Sequence, residues 1–384
     1  MSQAALLTRY VASCRFEAAR QMVHAEPTSR FSRLHGHGFL ASIFVDAGAQ
    51  PSDPALGGPV YRGGEMPAML DELHRCAGLL DYQRLNDIVS DPTDSNVARW
   101  FGQHCQLPWD RPAVCTVALQ STPEQGVVVG LTPQTVHRSR IWRRYRFQAA
   151  HQLPHVAPGH KCGRMHGHGF EVVLAVAVTP GEQTVTYDTI DRAWASVAPL
   201  LQRQCLNDVD GLDNPTSEIL SAWLMHRLRP ALPLLASVSV YETASCGATF
   251  DGQRYRIWKD FTIDSAVRYR HADSERARLH GYTYTLRLHL SAALDDVMGW
   301  TVDFGDVKQV FDPVFKSLDH HPLHENPELV SVSDGDTASM AKWLFTKSQD
   351  VLPQLVRVDW FETEGCGSSV GRDLQGPDLP LVRL

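Results

Sequence analysis

The chain has 384 residues, 43% hydrophobic and 21% charged, enough to bury a sizeable core in two or three domains. A formal net charge of −7 excludes a general binder of nucleic acid or of anionic membranes, which needs a basic surface. No run of about 18 apolar residues is present to span a bilayer. The N-terminal MSQAALLTRYVASCRFEAAR has arginines interrupting a short apolar stretch and no clean apolar region of a secretory signal. Eight cysteines with no CxxC pair argue against a disulfide framework, so a reducing cytoplasm is the expected setting.

In chain order, the first landmark is a strand start, FEAAR (Phe16–Arg20), followed by LHGHGF (Leu34–Phe39). After a helix comes LLDYQRLND (Leu79–Asp87), then PTDSNVARWF and the strand CTVALQST. The same four landmarks return as FQAAH (Phe147–His151), MHGHGF (Met165–Phe170), LLQRQCLND (Leu200–Asp208) and PTSEILSAWL with VSVYETASCG. They return again as IDSAV (Ile263–Val267), LHGYTY (Leu279–Tyr284), SLDHHPLHE (Ser317–Glu325) and DTASMAKWLF with VDWFETEGCG. Self-similarity of this kind predicts three units: 1–135, 136–255 and 256–384. Each internal boundary opens on a basic strand, RSRIWRRYRF after the Pro-bearing Thr132–Gln134 linker, and FDGQRYRIWKDF.

Within a unit, GFEVVLAVAV and YTYTLRLHLS predict strands following the histidines, and AWASVAPLLQR and SEILSAWLMHRL predict amphipathic helices. Pro215 sits near the start of the second of these helices. A final strand closes the unit. The expected class is α+β: an antiparallel four-stranded sheet with two helices on one face. Such a sheet has open edges that need covering or pairing. Three linked copies pair those edges in a ring, closing a β-barrel with helices outside.

In a strand, residues i and i+2 face the same way, so HGH places His166 and His168 side by side. His151 on an adjacent strand completes a three-nitrogen face. Three protein ligands with a fourth position open are the catalytic form of zinc. HGH alone is equally compatible with polar residues on a solvated sheet face; the upstream FxAAH separates the two. The first unit keeps His35 and His37 but has Arg20 in the place of His151, and a cation there repels a metal. His24 is a weak substitute. The third unit has Val267, His280 and Tyr282, and is expected to be metal-free.

Cys162 lies four residues before His166, where the first unit has Phe31 and the third Arg276. Lys161 and Arg164 flank it, which predicts a lowered thiol pKa and a thiolate able to act as a general base. A small apolar filler is the commoner fate of a cysteine.

FQAAHQLP, HKCGRMHGHGF, LNDVDGLDNPTSE and VSVYET resemble the 6-pyruvoyl-tetrahydropterin synthase / 6-carboxy-tetrahydropterin synthase family, and the resemblance extends over all three units. It implies the T-fold, whose trimers close a twelve-stranded barrel and stack in pairs; one chain here supplies a whole pseudo-trimer, and two chains stacking as a homodimer are the expected assembly. It implies zinc on His151, His166 and His168, a catalytic Cys162, and a small-molecule pterin ligand anchored by a glutamate, Glu242 or Glu362. The corresponding residue of the first unit is read as Gln120. Thr216 and Ser217 are implied as further pterin contacts. The family also uses an Asp–His pair contributed across an interface. The second unit has Gln202 and Arg203 there and the first has Asp81 and Tyr82, while the third keeps Asp319 and His320. One composite site is therefore expected, with zinc and thiol from the second unit and the proton-transferring pair from the third. Asp319–His320 also reads as an ordinary surface dipeptide at a helix end, and only its place in the repeat argues otherwise.

The four-residue step from Cys162 to His166 resembles the 6-carboxy branch. It implies a lyase that converts 7,8-dihydroneopterin triphosphate to 6-carboxy-tetrahydropterin with loss of acetaldehyde and triphosphate. Two other readings stand beside it: the same zinc site redirected to another substrate of specialised metabolism, and a non-catalytic pterin-binding scaffold.

Overall fold

The computed structural model describes residues 6–22, 25, 28–47, 65–107, 114–179, 185–269, 277–329 and 337–374. Two long strands open the chain, β1 (Leu7–Arg20) and β2 (His35–Ala47). They are followed by α1 (Glu65–Gly78), a short strand β3 (Gln83–Arg84), α2 (Asp94–His104), β4 (Thr116–Thr122) and β5 (Gln125–Gly130). A second stretch runs β6 (Arg140–His151), β7 (His166–Ala177), α3 (Tyr187–Ala195), α4 (Ala198–Leu201), β8 (Gln204–Cys205), α5 (Ser217–Leu228), β9 (Leu235–Thr243) and β10 (Cys246–Phe250). A third runs β11 (Tyr255–Val267), β12 (His280–Leu290), α6 (Phe304–Leu318), α7 (Thr337–Gln349), β13 (Leu355–Thr363) and β14 (Cys366–Gly371).

Twelve of these strands form one antiparallel sheet that closes on itself, because β1 pairs with β14 from Leu7↔Gly371 to Val11↔Gly367. Closure removes the free edges that an isolated four-stranded sheet leaves open. β3 and β8 are two-residue parallel additions to β1 and β6. Alternation sorts the two faces of the sheet. Val172, Leu174 and Val176 share a core with Ile190 and Leu224 under the helices, whereas Val173 and Ala175 join Trp142, Trp258, Tyr241 and Phe361 in a separate cluster on the other face. On the helical face α1 packs on β1, α2 on β4, α5 on β9 and α7 on β13.

α5 spans the predicted SEILSAWLMHRL, with Thr216 as its N-cap. The helix expected over AWASVAPLLQR is instead broken: α3 ends at Ala195 and α4 restarts at Ala198 with Pro199 in its first turn. Proline is tolerated there because the first-turn N–H groups have no intrahelical acceptor.

The strand pairs fix what faces what. In register, Arg20 lies opposite His35, His151 opposite His166, and Val267 opposite His280. The three positions compared in the sequence thus end the same strand in each stretch.

Candidate metal centre and active site

His151 is the last residue of β6, and His166 and His168 project from the same face of β7. Gly167 between them lies so near β6 that a Cβ there would sit 3.0 Å from the Ala149 carbonyl. The three histidines bring one ligand atom each to within 4.8 Å of one another. Each Nδ1 meets a backbone carbonyl: His151 with Pro215 at 3.2 Å, His166 with Arg164 at 2.8 Å, His168 with Gly169 at 3.2 Å. A neutral imidazole that donates from Nδ1 keeps its Nε2 lone pair free, which is how outer-shell contacts prepare histidine ligands. His151 Nε2 and His168 Nε2 stand 3.2 Å apart. Two lone pairs at that distance repel unless a cation or proton lies between them. His151 is 1% exposed, and burial first, then His166, pushes its pKa down to about 4, so it stays neutral. A three-nitrogen donor set with an open side fits a divalent metal. Among the described residues no other group of three His, Cys, Asp or Glu side chains does so.

The first stretch solves the same position differently. Arg20 is fully buried and donates to the Pro92 carbonyl at 2.9 Å and to Asp94 Oδ1 at 2.5 Å. Asp94 also accepts from Ser121 Oγ at 2.8 Å and from the Tyr187 hydroxyl. His35 and His37 remain in place, their Nε2 atoms buried and without a hydrogen-bond partner among the described residues. Burial first, then the Arg20 charge, lowers His37 to about 4. A guanidinium thus occupies the position at which His151 offers a third nitrogen ligand. His24 and Arg276 lie outside the described residues. In the third stretch Val267 gives no ligand, and Tyr269 packs against His280 and donates to Glu362 at 2.5 Å.

Pairing in the sheet corrects one expected correspondence. Leu40↔Gln120, Glu171↔Tyr241 and Thr285↔Phe361 make Gln120 the counterpart of Tyr241, so Ser121 stands where Glu242 and Glu362 stand. The same irregularity follows each of these residues, so Gln120–Thr122, Tyr241–Thr243 and Phe361–Thr363 correspond without a gap. Ser217 Oγ donates to Glu242 Oε2 at 3.1 Å, whereas in the first stretch the carboxylate is on the helix (Asp94) and the hydroxyl on the strand (Ser121). Carboxylate and hydroxyl have exchanged places.

Thr216, expected to meet a ligand, has its hydroxyl engaged twice: it accepts from Ile219 N at 3.2 Å and donates to the Gly299 carbonyl at 2.5 Å. It caps α5 and ties down a loop. Cys162 sits in a short 3-10 turn, Lys161–Gly163. Its pKa is raised, not lowered: burial dominates, and Glu242 and Asp303 add to it against the opposing Lys161. The expectation from its immediate neighbours fails first because the fold buries the thiol, and then because both carboxylates arrive from distant parts of the chain.

One of these, Asp303, belongs to a loop of the third stretch that closes over the second. His160 Nε2 lies 3.5 Å from Asp303 Oδ2, Asn214 donates to the Met298 carbonyl at 2.8 Å, and Thr301 N donates to Glu218 Oε1 at 2.8 Å. Glu218 is 2% exposed, and burial raises its pKa to about 7 in spite of the Thr301 bonds. Neither Asp303 nor Glu218 was singled out by sequence reasoning. The only trace of Glu218 is the segment PTSE.

Asp319 caps α6, accepts from Asp264 N at 3.0 Å through Oδ1, and meets His320 Nδ1 at 2.9 Å through Oδ2. His320 N donates to the Asp264 carbonyl at 2.7 Å. The same frame recurs with Asp81 on Glu17 N and Gln202 on Gln148 N. Tyr82, Arg203 and His320 are the three non-glycine residues with left-handed backbone among the described residues, φ 54°, 61° and 58°. Such backbone is disfavoured for side-chain-bearing residues and is held by its surroundings. Only in the third copy is the residue an imidazole beside a carboxylate, and Asp319 raises its pKa. Its side chain is 76% exposed. The pair stands on β11, which neighbours β10 of the second stretch. The structure thus brings Ser217 to Glu242, places Cys162 within electrostatic reach of Glu242, and gathers the three histidines. Glu362 is engaged with Tyr269 within its own stretch.

The family model for 6-pyruvoyl tetrahydropterin synthase matches residues 140–253 and again residues 256–373, together more than half of the chain. A 6-carboxy-5,6,7,8-tetrahydropterin synthase from Synechocystis sp. is 37% identical over 123 residues, which is 30% of this chain and 94% of that protein. Among solved structures, Caenorhabditis elegans 6-pyruvoyl tetrahydropterin synthase is 19% identical with a TM-score of 0.27, covering 29% of this chain and 92% of that one. A uricase from Bacillus fastidious is 13% identical with a TM-score of 0.29, covering 58% of this chain and 81% of that one. No helix among the described residues is long and apolar enough to cross a membrane.

Proposed function

The chain belongs to the 6-pyruvoyl tetrahydropterin synthase family, and from that premise we propose that it is a zinc-dependent lyase of the 6-carboxy-tetrahydropterin synthase kind. Its three stretches are then three T-fold units, bounded near residues 135 and 256, that form a pseudo-trimer with one composite site between the second and third. Two such chains stack face to face. The substrate is 7,8-dihydroneopterin triphosphate or a close pterin relative.

The observation that carries this reading is the convergence of His151, His166 and His168, each with its Nδ1 turned to a backbone carbonyl, beneath a loop contributed by the third stretch. These side chains would hold zinc, which supplies a Lewis acid for the substrate's side-chain oxygens. Glu242, oriented by Ser217, accepts the paired N–H donors of a 2-aminopyrimidinone ring, a match of fork to carboxylate. Cys162 takes a proton as its thiolate; a cation beside it favours that form against the burial that otherwise raises its pKa. His320 delivers or removes the second proton, with Asp319 fixing its Nδ1 tautomer and supporting its protonated state. Asp303 and Glu218 hold the two stretches together over the site.

Replacement of the third histidine by Arg20 in one copy and by Val267 in another favours the second reading, a redirected substrate. Incubation of zinc-loaded protein with dihydroneopterin triphosphate, with detection of acetaldehyde, separates the two. Acetaldehyde with a 6-carboxy product supports the lyase. Stoichiometric zinc without acetaldehyde rejects it in favour of another substrate, and absence of bound zinc rejects both.

A further inference from the structure

We propose that the junction of the first and second stretches is a second, metal-free ligand site, one that takes a phosphorylated small molecule. A cavity of about 610 Å³ opens there over His35 and His37, a size within the usual range for small-molecule sites. Arg30, Arg33, Arg143 and Arg144 line it, against Glu124 as the sole acidic lining residue, in a chain of net charge −7. Cations gathered into a concave wall of an acidic protein are a local feature that the overall charge does not explain.

The arginines are not equivalent. Arg143 is held rigidly: Nε and Nη2 each lie 2.8 Å from an Asp191 oxygen, and Nη1 donates to Gln125 at 2.8 Å. Tyr145 donates to the same Asp191 at 2.7 Å, fixing the carboxylate. Arg144 is nearly fully buried, 3.9 Å from Glu171, and its Nε has no hydrogen-bond partner among the described residues. Arg30 and Arg33 are exposed and form no ion pair among the described residues; Arg30 lies over the Phe31 ring at 4.9 Å. Two anchored and two uncommitted guanidinium groups thus border one cavity, and a planar fork of donors suits phosphate oxygens. Phe31 and Tyr145 supply an apolar wall for the remainder of the ligand.

Below the cavity the charge is already balanced, since Arg20 is paired with Asp94 and His37 is neutral. No metal is needed to attract an anion there, and the Arg20 side chain occupies the position of a third ligand. The corresponding junction between the second and third stretches keeps cations at three of the four arginine positions, Lys161, Arg164 and Lys259, and loses the one at Arg144. The pairings Gln125↔Arg143 and Cys246↔Lys259 make Lys259 and Asp260 the counterparts of Arg143 and Arg144, and Asp260 is tied to Arg287. The inference does not depend on the lyase reading of the second stretch.

Calorimetric titration of the full chain, freed of metal by chelation, with inorganic pyrophosphate and with metal-free ATP as probes tests it. One saturable, salt-sensitive site per chain is expected. Arg33→Glu and Arg30→Glu, both at exposed positions, should each weaken it by about tenfold or more, and Arg33→Lys by less, because lysine keeps the charge and loses the fork. Arg164→Glu and His166→Ala, in the second stretch, should leave it unchanged. Absence of saturation at about 1 mM of either probe, an affinity weaker than about 4 kcal/mol, would overturn the proposal. So would binding that survives Arg33→Glu but is lost in Arg164→Glu. Thermal melting of each variant establishes that it is folded.

Discussion

Arg20 and His151 end equivalent strands, each opposite the first histidine of an HGH segment. Around Arg20 the molecule has assembled Asp94, Ser121 and Tyr187; around His151 it has assembled two imidazoles and leaves Ser217 and Glu242 facing each other. The strand register is equivalent in both. What differs is the group at the third position, a guanidinium paired with a carboxylate in one copy and an imidazole that could serve as a metal ligand in the other.

The largest effect that would break this contrast is on the metal. His166→Ala is expected to reduce bound zinc from about one per chain to near zero, with turnover of dihydroneopterin triphosphate falling about a thousandfold, because an open catalytic zinc site needs its three protein ligands. His35→Ala should change neither, as metal analysis and acetaldehyde release will show. Next in size is Arg20→Ala, which leaves a buried Asp94 without its cation and is expected to destabilise the protein by about 3–5 kcal/mol in denaturant melts. The combined change Arg20→His, Asp94→Ser and Ser121→Glu converts the first copy to the second, and should bring a second equivalent of zinc. If it does not, factors beyond these side chains separate the copies.

Smaller is the contribution of the exposed pair on the third stretch. Asp319→Asn should lower kcat by about 10- to 100-fold, the scale of losing an orienting partner and less than losing the acid–base group itself, with little change in KM. Asp319 raises the His320 pKa, so the imidazolium persists to higher pH. Removing that carboxylate should therefore move the limb of the pH–rate profile that depends on protonated His320 to lower pH. An unmoved limb would assign the titration elsewhere. The smallest effect separates the three left-handed residues: Tyr82→Gly and Arg203→Gly are expected to be neutral or stabilising by up to about 1 kcal/mol, since glycine carries no penalty at positive φ. His320→Gly should instead abolish turnover while leaving the melting temperature close to its starting value.

Much of this was legible in the residues. The face shared by His166 and His168 follows from strand geometry alone, and their neighbour His151 from the repeat of the strand start. The alignment of Arg20, His151 and Val267 agrees with the observed register. Gln120 was misplaced by one position because an amide resembles a carboxylate in kind, whereas the register, with the same irregularity in all three copies, puts Ser121 at the position of Glu242 and Glu362. Cys162 was misjudged because flanking charges are only part of its surroundings; the fold buries the thiol and also brings Glu242 and Asp303 towards it. Thr216 was an expected ligand contact through the family resemblance alone, and the engagement of its hydroxyl by a cap and by Gly299 becomes visible only with both partners in place.

What the amino-acid order determined by itself was therefore local: side-chain facing along a strand, the start of α5 at its cap, and the recurrence of the same landmarks. These follow from backbone periods of two and 3.6 residues and need no distant partner. Tertiary structure alone decided that the sheet closes through β1 and β14, that Glu242 rather than Glu362 lies by Cys162, and that the 298–303 loop covers the second stretch. It also decided that Arg20 is neutralised while four other arginines border a cavity. These are contacts between residues far apart in the chain, and their energies depend on burial and charge that exist only once the barrel has closed.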